Sequence, residues 1–515
     1  MAVIYELKER RLIPNWRDFK RTLQLGELVQ SNISSIPLKL TIDRTTQDWQ
    51  FQKNMGTAAD LVNSAYISGH NNELVEEAIS YIKANSQKSS SSLNDLVKLI
   101  ETVSFDKQVI TNNSLLEIDV ETISEFQTFI NNTTFHKVIN KTKNKAKAEL
   151  KNPITWVELA RLYSMRGQEK KAENAILTAL YLAPNNRFVL RSATRFFIHF
   201  NEYEKAIFFL RKSENIKKDP WLISAHIATS SIMGRFSPFI KAGKSLASSG
   251  DFSNFELTEL TSSLGTLEFK DGSYKKAKQF FEKSLLAPND NSLAQLEWVS
   301  NDDKRFKFNP LNFENVINPF EARAMEFLSR GNWELAFNNT IKWFLDMPFS
   351  KRPIILGSYI ASSLLKDKHA AQILCQVGLQ ANPEDPTLLN NMVYSIATSN
   401  DLTMLDRYVS KMMEVDINSL PIERQITYNA TFGLAAIKKT EIDLGISLYN
   451  RAIDLATKNK KEYLKKIAII NFTNALIDIK HPDRFKYFDI VKNIKVKEDE
   501  KELSQFKKDL EKRIN

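Results

Sequence analysis

The sequence contains few residue groupings that could carry out catalysis. Its six histidines are spread along the chain: His70, His136, His199, His226, His369 and His481. No two of them have the spacing of an HExxH metal-binding helix, and none lies beside an obvious nucleophile. The sequence also lacks a glycine-rich phosphate loop and a GxSxG nucleophile elbow. We therefore expect a protein that is not an enzyme and that binds neither a metal ion nor a cofactor.

A lysine-rich stretch is the first grouping with a clear chemical use. Between residues 137 and 151 six lysines occur with little acid between them: Lys137, Lys141, Lys143, Lys145, Lys147 and Lys151. A cationic helix of this kind can neutralise several phosphates and bind nucleic acid in a salt-dependent way. The alternative interpretation is a helix whose lysines simply face solvent. These six lysines are the candidate phosphate contacts of the chain.

Composition narrows the class of protein. The 515 residues are 43% hydrophobic and 26% charged, which is enough to bury a core, and only 14 glycines and 15 prolines disfavour a fold with many tight β-turns. The single cysteine, Cys375, excludes an intramolecular disulfide and suits a reducing compartment. No stretch approaches the roughly 18 apolar residues of a membrane span, and charge appears too early for a signal peptide. These features predict a cytoplasmic protein, and the net charge of +10 permits an acidic partner.

Small residues recur at fixed intervals in the middle of the chain. One series is spaced by 34, 36 and 35 residues: Ala172, Ala206, Ala242 and Ala277. Four residues after each stands a large apolar side chain: Ile176, Leu210, Leu246 and Phe281. Twelve residues before each stands another small one: Ala160, Thr194, Ser230 and Gly265. Because antiparallel helices approach closely only where facing residues are small, the pattern predicts stacked helical hairpins.

The best-defined unit resembles the tetratricopeptide repeat. It agrees with the consensus of that family at seven positions: Trp156, Leu159, Ala160, Tyr163, Ala172, Ala179 and Pro184. A second unit is also similar to the consensus, at Ser263, Leu264, Gly265, Tyr274, Ala277, Phe281 and Pro288. About eight units of the family's roughly 34-residue period fit between residues 153 and 457. The resemblance implies an all-α fold, a right-handed superhelical solenoid of helical hairpins, preceded by a mostly helical N-terminal region.

The phase of the repeat divides the chain into five segments. They are an N-terminal mostly helical region (1–135), a first repeat block (136–300), a connector (301–320), a degenerate second block (321–457) and a C-terminal helical cap (458–515). The connector is out of phase and contains Asn-Pro twice, which favours a turn or extended backbone and predicts a bend, either a hinge or a rigid kink. The N-terminal region is interpreted as a separate domain or as diverged hairpins that cap the array or bind a partner.

Three arginines are candidate partner contacts. In the tetratricopeptide family the first helix of each repeat lines the concave face, where ligands commonly lie. Position in the repeat places Arg161, Arg191 and Arg195 on that face, where a guanidinium can bind a carboxylate or phosphate through two hydrogen bonds. In the alternative interpretation they pair with acidic neighbours. The carboxylate clamp of some members is not expected, because Val157 and Arg161 occupy its positions.

The resemblance implies a scaffold or adaptor that binds a protein partner through the groove of the solenoid. By analogy with long repeat proteins that accompany effector enzymes, it suggests an accessory subunit of a bacterial regulatory or defence complex. The alternative is a nucleic-acid-associated accessory protein that uses the lysines of residues 137–151 and the groove arginines.

Overall fold

The computed structural model describes residues 13–17, 41–68, 71–86, 126–127, 129–309, 316, 319–399, 401–498 and 500–514. These residues form 24 α-helices and no β-strand, so the predicted all-α fold is confirmed. None of these helices combines the length and the apolar character that crossing a lipid bilayer requires.

The first three helices form a small bundle with its own core. They are α1 (Ile42–Phe51), α2 (Met55–Ser68) and α3 (Glu73–Ala84). Trp49, Leu61 and Ile82 are fully buried between them. In α3 the buried residues Val75, Ala78, Ile79 and Ile82 fall at helical spacing, which explains why one face of this helix packs on the other two.

The bundle is joined to the repeat array at the start of α2. The backbone amide of Gly56 donates to the carbonyl oxygen of Gly250 at 2.8 Å. The Asp60 carboxylate accepts from the backbone nitrogen of Asn254 at 3.1 Å and from its side-chain amide at 2.7 Å. A buried carboxylate therefore lies at the junction between this bundle and the first repeat block.

Ten helices span residues 132–302, which are called the first block below. They are α4 (Asn132–Ala148), α5 (Pro153–Ser164), α6 (Glu169–Leu182), α7 (Arg187–His199), α8 (Tyr203–Lys212), α9 (Pro220–Ile232), α10 (Ile240–Ser248), α11 (Asn254–Lys270), α12 (Tyr274–Ser284) and α13 (Asp290–Asp302). Their starts are set by side-chain caps. Asn186 accepts the amide of Val189 at the start of α7, and Ser253 and Glu256 form a capping box at the start of α11.

Eleven helices form the second block and the C-terminal region. They are α14 (Phe320–Arg330), α15 (Trp333–Asp346), α16 (Lys351–Tyr359), α17 (Lys368–Ala381), α18 (Pro386–Ala397), α19 (Leu405–Met413), α20 (Ile422–Lys438), α21 (Ile442–Lys458), α22 (Glu462–Asp478), α23 (Arg484–Lys492) and α24 (Lys501–Ile514). A π-helical turn at Ile360–Leu364 follows α16.

Small residues bring the two helices of a hairpin together, as the repeat predicts. A Cβ atom added to Gly265 would lie 3.2 Å from the Phe281 ring, which packs across from it in the same hairpin. In the α20–α21 hairpin a Cβ on Gly433 would lie 2.9 Å from the carbonyl oxygen of Gly445 and 2.9 Å from the Tyr449 ring. The twelve-residue and four-residue spacings in the sequence thus correspond to direct contacts.

Consecutive hairpins stack through their first helices. In the first block α5 packs on α7, α7 on α9, α9 on α11 and α11 on α13. In the second block α16 packs on α18 and α18 on α20, and α20 packs on α22 of the C-terminal region. The first helices therefore form a continuous layer in each of these two runs, and this layer is called the inner surface below.

The second block reaches back to the first hairpin of the first block. The Arg166 guanidinium donates to the Gln380 side chain, and a Cβ on Gly167 would lie 2.8 Å from the carbonyl oxygen of Gln380. Gly167 also has a φ of +63°, a conformation that favours glycine. One hydrophobic core extends through helices of both blocks. In the connector Phe306 and Val316 are buried in a neighbouring cluster.

The last helix, α24, lies against the first helices of the second block. Its side chains Leu503 and Leu510 are fully buried. The Glu502 carboxylate accepts from the Tyr359 hydroxyl of α16 at 2.6 Å and from the Tyr463 hydroxyl of α22 at 2.7 Å. The chain's own C-terminal helix therefore covers part of the inner layer.

Candidate partner-binding site

A short segment near the N-terminus packs between the first and second blocks. Residues 13–17, called the strap below, have neither helical nor strand structure. The strap contacts helices that are distant in sequence: the Asn15 side-chain amide donates to Asp290 at 2.8 Å, and the Asn291 amide donates to the Ile13 carbonyl at 3.3 Å. The inner surface thus holds a short peptide segment of the chain itself.

Arg17 joins the strap to both repeat blocks. Its Nε atom lies 2.6 and 2.7 Å from the two carboxylate oxygens of Asp346, the last residue of α15. Its Nη2 atom forms an ion pair with Asp290, the first residue of α13. All three side chains are largely shielded from solvent. A buried guanidinium that bridges two carboxylates is a strong and directional anchor, since charged hydrogen bonds strengthen where water is excluded.

The environment of Arg17 changes the proton affinity of these groups. Burial by itself lowers the pKa of Arg17, but the charges of Asp290 and Asp346 outweigh burial and raise it. Burial raises the pKa of Asp290 above its ordinary value, and the guanidinium of Arg17 offsets part of this rise. The charged state of Asp290 in the folded protein therefore depends on Arg17.

Trp16 is the apolar anchor of the strap and is fully buried. Its ring packs edge-on against Phe196 of α7, with ring centroids 6.0 Å apart, and lies 5.0 Å from Phe349 in the turn after α15. One contact comes from the first block and the other from the second. An aromatic ring in this place fills the space between the blocks.

Arg195, one of the predicted partner contacts, lies beside the strap. Its guanidinium carbon is 5.6 Å from the centre of the Phe349 ring, and Nη2 is 3.4 Å from the Ser350 hydroxyl. His199 packs edge-on against the same Phe349 ring. Burial, with the nearby charges of Arg195 and Lys351, lowers the pKa of His199 to about 3, so this ring is neutral.

The other two arginines have different partners. Arg191 forms an ion pair with Glu259 of α11 at 2.9 Å and lies 4.9 Å from the centre of the Trp221 ring. Arg161 is buried, and its Nε atom is 3.5 Å from Glu158 one turn earlier. The structure therefore gives the three arginines three separate sets of contacts within the chain.

The six candidate lysines line the exposed side of α4 and the turn after it. All six are exposed, and in the described part of the chain Lys145 is the one with an acidic partner, Glu149 at 4.0 Å. The opposite side of the helix carries the buried residues Phe135, Ile139 and Ala146. The lysines thus form a continuous cationic surface, called the lysine face below.

Sequence reasoning missed the strap and its two acidic contacts. Pro14 is the available signal, because the residue before a proline avoids helical backbone. No local feature of Asp290 or Asp346 distinguishes them from other acidic residues near helix ends. Within the described residues, no group of three metal-ligating side chains occurs.

Comparisons with known proteins found solved structures of low sequence identity to this chain. No protein-family model matches the sequence, and no curated protein matches it. The yeast Tom70 structure is 13% identical and covers 77% of this chain and 97% of its own, with a TM-score of 0.29. Human IFIT1, a dimer with PPP-AAAA, is 11% identical and covers 76% and 99%, with a TM-score of 0.35. The Naa15/Naa10 complex bound to HypK-THB is 15% identical and covers 76% and 62%, with a TM-score of 0.20.

The packing of its helices defines the class of this protein. Paired helices meet at small residues, and successive pairs stack through their first helices. The chain is therefore an all-α protein built from stacked helical hairpins, as the repeat predicts.

Proposed function

We propose that this protein is a non-catalytic scaffold that binds a protein partner through the inner surface of its solenoid. The observation that carries the proposal is the strap: the inner surface holds a short peptide segment by an aromatic anchor and a double ion pair. Tetratricopeptide arrays present such surfaces to peptides, and this one has the required apolar and charged contacts. A partner segment with an aromatic residue next to an arginine would use the same contacts.

In this proposal the strap and the partner compete. A segment of the same chain has a high effective concentration, so a free peptide must overcome the strap before it binds. Arg195 lies at the edge of the strap site and contacts Phe349, the ring that Trp16 also contacts. The buried position of Arg195 suits a role in shaping this site. We also propose a cytoplasmic location, because the single thiol, Cys375, is buried and unpaired.

A peptide-binding experiment tests the inner surface directly. The full chain is compared with a Trp16→Ala, Arg17→Ala double variant by calorimetric titration with a synthetic peptide of residues 10–20. We expect the double variant to bind the peptide measurably more tightly than the wild-type chain does. A peptide with both anchors replaced by alanine is the matched control and should bind neither protein. Absence of binding to the folded double variant would refute peptide recognition by this surface.

The same peptide identifies a true partner. Affinity purification under gentle salt conditions, followed by mass spectrometry, is run with and without excess peptide. A partner that uses the inner surface should be recovered better with the double variant and lost when the peptide is added. Recovery that is unaffected by both changes would place the partner elsewhere and contradict the proposal. A regulatory or defence enzyme among such partners would support the accessory-subunit role.

The lysine face favours a second candidate function, association with nucleic acid. Five of its six lysines have no acidic partner in the described part of the chain, and each is exposed. Such a surface binds phosphates with an affinity that falls as salt rises. Fluorescence anisotropy with RNA and DNA at increasing salt tests it, using a variant with Lys137, Lys141 and Lys147 changed to serine. No binding at low salt would exclude this function.

A further inference from the structure

A cleft lies between two second helices, α8 and α10. It has a volume of about 730 Å³ and opens between the end of α8, the turn after it and the start of α10. Three cations line it: Arg211, Lys217 and Lys241. Ile216 and Phe239 supply its apolar floor. The combination of an apolar floor and a cationic rim distinguishes this cleft from an ordinary solvated surface.

The three rim cations are exposed, and none forms an ion pair with an acidic residue of the described chain. Neighbouring cations are paired. Arg235 lies 2.6 Å from Glu204, and Lys244 lies 2.6 Å from Glu268. The cleft therefore collects positive charge that the folded chain does not neutralise, and an acidic ligand would be attracted to it.

Buried contacts hold the floor of the cleft in place. The Phe239 ring packs edge-on against His226, with ring centroids 4.8 Å apart. The Nδ1 atom of His226 lies 2.9 Å from the Ser237 hydroxyl and 3.2 Å from the Ser230 hydroxyl. The turn that carries Phe239 is thus fixed to α9, so a ligand would meet a preformed surface.

An exposed aromatic residue stands in the same turn. Phe236, two residues before Pro238 of the cleft lining, is 82% exposed. Aromatic residues, phenylalanine among them, are enriched at protein interfaces relative to the rest of the surface. Covering it with a partner would remove a large apolar surface from water.

We propose that this cleft binds an acidic segment of a partner protein, with the acidic side chains on the rim and an apolar side chain against Phe236 and the floor. Three cations match a short acidic peptide better than a nucleic acid, because nucleic-acid sites commonly neutralise about 6–10 phosphates. The aromatic ring of the floor, Phe239, is also packed against His226 and does not form an open stacking platform. This site is separate from the strap and does not depend on the proposed function.

The test uses two variants of the full chain that remove the same charge. In the cleft variant Arg211, Lys217 and Lys241 are changed to serine. In the matched control three exposed lysines of the neighbouring α12 are changed to serine: Lys275, Lys276 and Lys278. Fluorescence polarisation is measured with a labelled short peptide in which aspartates flank one phenylalanine, and with an oligouridylate of equal charge.

We expect the cleft variant to bind the peptide about tenfold more weakly, since each lost ion pair costs a fraction of a kcal/mol to about 1 kcal/mol. The control should bind within about twofold of the wild-type chain. A Phe236→Ser variant should also bind more weakly but keep the wild-type salt dependence, because it removes an apolar contact only. Equal losses of peptide affinity in the cleft and control variants would overturn the proposal. It would also be overturned if the wild-type chain bound the oligouridylate more tightly than the peptide and the cleft variant lost that binding. Failure of the wild-type chain to bind the peptide at low salt would also overturn it.

Discussion

Replacing Arg17 by methionine is the most direct test of the buried ion pair that joins the strap to both blocks. The change keeps the length of the side chain but removes the guanidinium from Asp346 and Asp290. Breaking a buried pair in this way leaves uncompensated carboxylates and costs roughly 3–5 kcal/mol. Asp346 is 3% exposed and Asp290 is 15% exposed at the side chain, so water can replace the lost partner only in part. We therefore expect the Arg17→Met chain to lose about 3 kcal/mol at neutral pH.

The loss should depend on pH. Burial raises the pKa of Asp290, Arg17 lowers it, and the charge of Asp346 raises it again. Without Arg17 the pKa of Asp290 in the folded state should rise further above its unfolded value. A carboxyl group whose pKa is raised in the folded state lowers the free energy of unfolding at pH values above that pKa. This destabilisation disappears as the carboxyl group is protonated. The difference between the two proteins should thus shrink on acidification, by up to about 1.4 kcal/mol for each pH unit.

Urea unfolding followed by far-ultraviolet circular dichroism measures the loss at neutral and mildly acidic pH. Limited proteolysis of the N-terminal region reports whether the strap has left the inner surface. Arg235→Met is the control, because its ion pair with Glu204 is exposed and should contribute under about 1 kcal/mol. A variant as stable as the wild-type chain, with its strap equally protected, would refute the anchoring role. An equal loss of stability at both pH values would refute the conclusion that Asp290 makes the effect of Arg17→Met depend on pH.

Three further predictions concern packing and charge elsewhere. Gly445→Val should destabilise the chain by about 1–3 kcal/mol in urea unfolding, because its Cβ would lie 2.8 Å from the Gly433 carbonyl oxygen; unchanged stability would contradict the close approach. Burial raises the pKa of Asp60 to about 7 despite the hydrogen bonds from Asn254. The contribution of Asp60 to the stability of the folded chain is therefore greatest at low pH, and it falls as the pH rises from 3.8, the pKa in the unfolded chain, through about 7. Asp60→Asn should therefore become more stable relative to the wild-type chain across that range, and parallel pH profiles would argue against it. Leu510→Ala should cost about 2–5 kcal/mol and speed amide exchange in α24, since Leu510 is fully buried there; exchange unchanged from the wild-type chain would show that α24 is held by other contacts.

The repeat could be recognised from the sequence because it depends on local chemistry. The spacing of Gly265 and Phe281 marks two positions on adjacent antiparallel helices, and the structure places them in contact. The same reasoning applies to Gly433 and Tyr449 in the second block. Helical period, small residues and turn lengths fix such contacts within about 16 residues, so no long-range information is needed.

The arginines show where local reasoning ends. Their repeat positions place Arg191 and Arg195 on a first helix, and the structure has them on α7. Their partners are far away in sequence: Glu259 lies 68 residues after Arg191, and Ser350 lies 155 residues after Arg195. Which acid or ring meets each guanidinium depends on how the hairpins stack, and the repeat pattern does not contain that information.

The amino-acid sequence by itself determined the all-α repeat, the lysine face and the absence of recognisable catalytic motifs, because each follows from residue types at short spacing. Only the tertiary structure decided what fills the inner surface. The contact of Arg17 with Asp346 spans 329 residues, and it forms because the second block comes back to the first around Trp16. The contact between the two blocks depends on many small rotations between successive stacked hairpins. A sequence pattern within one hairpin therefore cannot predict it.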